Sequence, residues 1–245
     1  MRSMFLGAVS LCASLLVACD PEIVEAPRYQ DLPTESAGGE APPSQEAMTF
    51  LERAMVLIQQ DQCQRAIDEA LLPALDRFEA QYPADRPLPT ASRRADARGS
   101  AAGPEWSDAM YLHAFCLVEV GRADEASRWL ERALTRIPSD VVYSCELGHI
   151  RQGQGRMPDA LTIFQGALEN ARGLRESGAI GQQLLFGQPL DWWERRALRG
   201  IGYTQYELGD MAAAEAAYRA ALAIDPNDER ALRELQLIAT RRGAI

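Results

Sequence analysis

The stretch from Arg195 to Pro226, RRALRGIGYTQYELGDMAAAEAAYRAALAIDP, decides the fold. Two apolar helical patterns flank Gly209, and glycine ends a helix in the left-handed conformation at little steric cost. Small residues, Gly202 in the first pattern and Ala214 in the second, allow the two helices to approach closely. Pro226 stops the second helix, because proline lacks a backbone donor. The stretch therefore predicts an antiparallel helical hairpin.

The same spacing recurs upstream at a constant interval. A lone hairpin cannot bury its apolar face, so repeated hairpins must stack on one another. Three pairs of small residues are each separated by 34 residues, and a repeated interval is stronger support than any single match. These pairs are Gly121 with Gly155, Ala126 with Ala160, and Ala133 with Ala167.

These segments resemble the tetratricopeptide repeat (TPR), whose pattern places bulky and small residues at set distances along two helices. In the last copy the matching residues are Leu198, Ile201, Gly202, Gly209, Ala214, Tyr218, Ala221 and Pro226. The resemblance implies an all-α, TPR-like helical-hairpin solenoid with about three clear repeats. It also implies a TPR domain over 106–242, a degenerate TPR-like hairpin over 45–81 and a C-terminal capping helix.

Three departures from the pattern are visible. Arg172 stands where the third copy should have its closing proline, and an insertion is predicted over 172–190. Pro73 lies inside the second helix of the degenerate hairpin. A segment rich in Pro, Arg, Ser and Gly predicts a flexible loop over 82–105.

The N-terminus resembles the signal peptide of bacterial lipoproteins. An apolar run from Met4 to Val17 is too short to span a bilayer, and it ends in the string LVACD around Cys19. The string resembles a lipobox, which implies removal of residues 1–18 and attachment of a lipid to the Cys19 sulfur. An ordinary cleaved leader with an incidental cysteine is the alternative.

The lipobox resemblance implies a lipidated N-terminus at Cys19, and the acidic, proline-rich composition of the rest of residues 19–44 predicts a disordered tether. The whole chain has a formal net charge of -10, and this argues against nucleic-acid binding. Together with the lipobox, the tether predicts a protein of the cell envelope that is anchored to a membrane and faces the periplasm. The sequence does not decide between the inner and the outer membrane.

In TPR proteins the first helices line a concave groove, and the resemblance implies a groove for a protein or peptide partner here. One end would be aromatic and the other cationic, where arginines bind carboxylates. The alternative is a solvated face with tyrosines packed between hairpins. The predicted groove residues are Tyr111, Phe115, Glu119, His149, Gln152, Arg196, Arg199, Tyr203, Tyr206, Arg230 and Arg233.

The insertion ends in the aromatic string LLFGQPLDWWERR, from Leu184 to Arg196. Its aromatic side chains either cover the gap between the third and fourth hairpins or form an exposed patch for a partner. Asp191 and Glu194 predict a helix N-cap with a capping-box partner.

Cysteine and histidine offer a competing chemistry. Cys145 and His149 share a helix face, and His113 and Cys116 are three residues apart on the preceding first helix. Four such side chains can in principle bind zinc, although the spacing is not a standard zinc signature. Cys63 and Cys116 are candidates for a disulfide, and the alternative is that all three downstream cysteines are buried thiols.

The sequence thus favours a non-enzymatic adaptor or scaffold without a cofactor, which binds another protein during assembly of an envelope complex. The chain contains no lysine, so a lysine Schiff base is excluded. A metal-binding or thiol-dependent envelope protein is one alternative, and a purely structural spacer is the other.

Overall fold

The computed structural model describes residues 45–81, 83, 104–178 and 188–243, and the regular elements of these residues are all helices. The predicted signal peptide, Cys19 and the tether lie outside the described residues. So do almost all of the predicted loop 82–105 and residues 179–187 of the predicted insertion. Of the helices that are described, none combines the length and the apolar character needed to cross a membrane.

The described helices form four hairpins and a final single helix. Hairpin 1 comprises α1 (Gln45–Gln59), α2 (Cys63–Ala66), a π-helical segment (Ile67–Leu71) and α3 (Leu72–Gln81). Hairpin 2 comprises α4 (Pro104–Glu119) and α5 (Ala123–Arg136), and hairpin 3 comprises α6 (Val141–Gly153) and α7 (Met157–Ser177). Hairpin 4 comprises α8 (Leu190–Glu207) and α9 (Met211–Ile224), and α10 (Glu229–Gly243) follows. The predicted all-α, TPR-like solenoid is confirmed.

Every described hairpin turns at a residue with positive φ. Gly121, Gly155 and Gly209 have φ of 78°, 72° and 88° at the turns of hairpins 2, 3 and 4. Asp61 occupies the equivalent place in hairpin 1 with φ of 57°. An L-residue with a Cβ is strained in this region, so hairpin 1 makes the same turn with a less suitable residue.

The second half of hairpin 1 contains a proline in a helical run. Pro73 cannot donate to the carbonyl of residue 69, and its ring would collide with that carbonyl in a regular α-helix. The π-helical segment Ile67–Leu71 ends just before it. A π turn widens the backbone locally, which accommodates the proline without ending the helix.

Hairpins 3 and 4 pack closely through glycine. The ring of Phe164 on α7 is fully buried between Gly148 of α6 and Gly200 of α8. A Cβ added to Gly148 would lie 2.7 Å from that ring, and one added to Gly200 would lie 2.5 Å from it. Gly202 meets Tyr218 in the same way, with a 2.7 Å approach. These contacts show why the pattern demands small residues at the helix crossings.

The helix α7 continues past Arg172 to Ser177 and ends at Gly178, whose φ is 64°. Its last turns contact the start of α8, because Arg175 pairs with Asp191 at 2.5 Å and also with Glu194. The predicted N-cap role of Asp191 is wrong, since Pro189 precedes the helix and no side chain caps it. The Asp191 carboxylate instead binds a guanidinium from the preceding hairpin.

The aromatic pair at the start of α8 is divided between core and surface. Trp193 is buried, and Trp192 is half-buried. Their rings contact edge to face, with centroids 4.7 Å apart. Trp193 therefore covers the junction between hairpins 3 and 4, while the predicted partners Leu184, Leu185 and Phe186 lie outside the described residues.

Candidate functional site

The first helices of hairpins 2, 3 and 4 carry a set of polar and aromatic side chains that we call the first-helix surface. Most of them are half-buried, so they are held by the fold and still reach solvent. The set includes most of the predicted groove residues and also Glu146, which was not among them. Its members are Tyr111 on α4, Glu146, His149 and Gln152 on α6, and Arg196, Arg199, Tyr203 and Tyr206 on α8.

Its centre is an ion pair between hairpins 3 and 4. The Arg196 guanidinium donates to Glu146 at 2.7 Å, and the side chains are 12% and 23% exposed. The guanidinium also lies over Trp192, 5.3 Å from the ring centroid. Burial disfavours the charge on Arg196, but the attraction of Glu146, together with the smaller effects of Tyr111 and Cys145, outweighs burial and raises the pKa of Arg196 above its ordinary value. Arg196 is therefore charged and held in place by Glu146 before any ligand arrives.

Tyr111 extends the centre towards hairpin 2. Burial raises the pKa of its phenol, and the negative charge of Glu146 raises it further. The charge of Arg196 acts in the opposite direction. The phenol thus stays neutral beside the ion pair.

His149 and Gln152 form the next contact along α6. The Gln152 amide donates to the Gly200 carbonyl at 3.0 Å and to the Thr204 hydroxyl at 2.8 Å. Its oxygen can only accept, so the 3.0 Å contact with His149 Nδ1 assigns the proton to that nitrogen. Burial and the nearby Arg196 charge lower the pKa of His149, which is therefore a neutral imidazole. The network holds α6 and α8 in register.

Arg199 contributes to the junction with α10. Arg199 and Arg195 both bind Asp228, and the Arg195 contact measures 2.9 Å. Asp228 also accepts from the Ala231 backbone N–H at 3.1 Å, which makes it the N-cap of α10. Burial alone would raise the pKa of Asp228, but Arg199 and the hydrogen bonds outweigh it and lower the pKa. Arg199 thus has a structural partner in the fold.

The remaining cationic candidates differ in exposure. Arg233 is exposed on α10, and Arg230 is half-buried there. Burial and the neighbouring Arg233 charge lower the pKa of Arg230. Tyr203 is half-buried on α8, and Tyr206 accepts from Arg241, whose guanidinium lies 5.1 Å from the ring centroid.

The two predicted groove residues on α4 also differ in exposure. Phe115 is half-buried and packs against the core of hairpins 1 and 2, whereas Glu119 is exposed at the end of α4. Phe115 therefore contributes to packing, and Glu119 remains accessible.

The cysteine and histidine candidates lie mostly inside the protein. His113 is 1% exposed with its ring 4.7 Å from that of Trp129, and burial lowers its pKa to about 4. Cys145 is fully buried, and burial raises its pKa to about 12. Within residues 45–81, 104–178 and 188–243, no group of three or more His, Cys, Asp and Glu side chains is placed to hold a metal ion.

Two partners in this site were missed in the sequence. Asp228 precedes an amphipathic helix, and an N-cap aspartate is a recognisable signal. Glu146 has no comparable signal, because 50 residues separate it from Arg196 and the length of the insertion decides how the two align.

Comparison with known proteins agrees with the helical repeat. Residues 197–228 match the family model of the tetratricopeptide repeat, and they cover most of hairpin 4. Hairpin 4 is therefore TPR-like in sequence as well as in fold. Among solved structures it is similar to the crystal structure of YrrB, described as a TPR protein with an unusual peptide-binding site. The identity is 18%, the alignment covers 76% of this chain and 90% of that chain, and the TM-score is 0.43. No curated protein matches the chain.

Proposed function

We propose that the protein is a membrane-anchored adaptor of the bacterial envelope, which binds a segment of another protein on its first-helix surface. The TPR-like repeats support protein binding. The resemblance of LVACD to a lipobox supports an anchor at Cys19, and the acidic, proline-rich residues 20–44 suit a tether to the folded hairpins.

The observation that carries the proposal is the connection of the first-helix surface across hairpins. Arg196 is bound to Glu146, and Gln152 is bound to α8 at two atoms. These contacts fix side chains of hairpins 3 and 4 relative to one another. A surface that is ordered before binding loses less conformational entropy when a ligand arrives.

The same contacts define the chemistry of the ligand segment. A ligand carboxylate that approaches Arg196 must compete with Glu146, and one that approaches Arg199 must compete with Asp228. The exposed Arg233 is the more accessible cation. We therefore expect the central contacts to be hydrogen bonds and aromatic contacts to Tyr111 and Tyr203, with acidic ligand residues placed towards α10.

Site-specific photocrosslinking in cells tests partner binding. A benzoylphenylalanine residue at position 203 of the full chain should crosslink a discrete partner protein. The matched control carries the same residue at Gln165, which is exposed on the second helix α7. A partner band at position 203 that is absent at 165 supports the proposal. Equal crosslinking at both positions, or crosslinking at 165 alone, contradicts it.

Metabolic labelling with a fatty-acid analogue tests the anchor separately. The wild-type chain should carry the label and fractionate with membranes, and Cys19→Ser should do neither. Cys12→Ser is the matched control, because it changes a cysteine inside the predicted leader. Persistent labelling of Cys19→Ser would contradict the lipid anchor. It would not affect the proposed partner surface, which the crosslinking experiment tests independently.

A further inference from the structure

Two cysteine side chains from different hairpins meet in the core. Cys63 is the first residue of α2, and Cys116 lies in the last turn of α4. A hydrogen bond joins the two side chains, and both thiols are free. Two thiols in direct contact satisfy the first requirement for a disulfide, which forms between neighbouring sulfurs only.

The contact is specific to this pair among the described cysteines. Cys63 and Cys116 belong to the core cluster that hairpins 1 and 2 form with part of α6, whereas Cys145 belongs to the cluster of hairpins 3 and 4 and α10. The exposed fraction of Cys63 is 8%, and that of Cys116 is 0%. A reagent from solvent therefore reaches the Cys63 sulfur first.

We propose that Cys63 and Cys116 are an oxidation site, at which a disulfide from a small or protein thiol oxidant converts the pair into a cystine that joins hairpins 1 and 2. This inference concerns the stability of the scaffold and does not depend on the proposed partner surface. An envelope location would supply such oxidants, since disulfides persist in oxidising compartments.

The exchange balances in two steps. The Cys63 thiolate attacks one sulfur of the oxidant disulfide, a mixed disulfide forms, and the other oxidant sulfur leaves as a thiolate. Cys116 then loses its proton and attacks the Cys63 sulfur, which releases the second oxidant thiolate. The two protons of the pair end on the two released thiols, and two electrons pass from the pair to the oxidant.

The surroundings of the two thiols indicate which of them attacks the oxidant first. The hydrogen bond from Cys116 lowers the pKa of Cys63, while burial and the charges of Glu119 and Asp61 oppose this effect. The same hydrogen bond raises the pKa of Cys116, and burial raises it further. Cys63 is thus the nucleophile of the first step, and Cys116 is the resolving thiol.

Thiol counting on the full chain tests the proposal. The reduced protein is incubated with oxidised glutathione, quenched with acid, denatured and labelled with a maleimide polymer. Wild type should lose two reactive thiols together and regain both with dithiothreitol. Peptide mapping should find a linkage between Cys63 and Cys116 only, whatever the state of Cys12 and Cys19.

Alanine variants provide the controls, because alanine keeps a small apolar side chain in these buried places. Cys145→Ala should still form the linkage, whereas Cys63→Ala and Cys116→Ala should not. Circular dichroism establishes that each variant is folded. The proposal is overturned if folded wild type keeps both thiols under these conditions, or if mapping finds Cys145 as the partner of either residue.

Discussion

The C-terminal pair of hairpins and the N-terminal pair bring their helices together with different residues. In the C-terminal pair, Gly148 and Gly200 approach the Phe164 ring from two sides. Hairpin 1 has no glycine anywhere between residues 45 and 81, and its core is made of leucine, isoleucine, alanine, phenylalanine and Cys63. Its turn uses Asp61 where the other hairpins use glycine, and a π turn accommodates Pro73.

A TPR-like hairpin can thus depart from the family pattern and still form two antiparallel helices. The pattern records close helix crossings and glycine turns, and both are present in hairpin 4, where the family match falls. Hairpin 1 reaches a similar arrangement with larger side chains and a strained turn.

Gly200→Leu should destabilise the protein by about 3 kcal/mol or more, because a side chain at this place must displace the Phe164 ring. Urea denaturation of the full chain, followed by circular dichroism, measures the change. Gly166→Leu is the matched control, since a Cβ at Gly166 meets no atom within 4 Å. The control should be neutral or stabilising by up to about 1 kcal/mol. Equal losses in both variants would disprove the close-packing explanation.

The buried His113 should make the N-terminal pair sensitive to acid. Its pKa is about 4 in the folded protein, against about 6.5 when unfolded, so the unfolded state binds more protons between these values. Stability should therefore fall by about 3 kcal/mol as the pH drops from 6.5 to 4. Glu125 and Arg122 are the charged groups that act on the imidazole.

His113→Phe should remove this part of the pH dependence while preserving an edge contact with Trp129. Unfolding free energies measured at several pH values between 4 and 7 give the slope. A smaller slope remains in the variant because His149 also has a lowered pKa. An unchanged slope in His113→Phe would show that His113 does not control the acid response.

Asp228→Ala should destabilise the junction of hairpin 4 and α10 by about 2 kcal/mol, since it removes a helix cap and leaves Arg199 without its carboxylate. Asp228→Asn retains a capping oxygen and should cost less. The folded pKa of Asp228 is lowered, so its contribution is present above about pH 4 and is lost as the pH falls through the folded pKa. Thermal melts at pH 7 compare the two variants, and equal losses would contradict a role for the cap.

The turn residues should show the smallest effect. Asp61→Gly should stabilise hairpin 1 by about 0.5–1 kcal/mol, because glycine adopts positive φ without strain. The reciprocal change, Gly209→Asp, should destabilise hairpin 4 by about the same amount. Chemical denaturation of both variants checks the pair. A loss of stability in Asp61→Gly would mean that the aspartate side chain has another role at the turn.

The hairpin architecture could be predicted from the sequence alone, because the signals that set it are local. The glycines at 121, 155 and 209 end first helices, and the prolines at 138 and 226 follow the ends of second helices. Each signal acts on the backbone of its own segment, and the 34-residue interval repeats it. The predicted close approach at Gly202 followed as well, since Gly202 lies against the Tyr218 ring.

The contacts between side chains of different hairpins could not be predicted from the sequence, because they depend on how the hairpins pack. Arg196 forms an ion pair with Glu146, Arg199 with Asp228, and Arg175 with Glu194. Glu194 was predicted to be the partner in a capping box and instead binds this arginine. These partners lie 19 to 50 residues apart, so their alignment depends on how the hairpins stack. Periodicity places a charged residue on a helix face, but its oppositely charged partner belongs to another helix. The two side chains come together only when the hairpins pack into the solenoid.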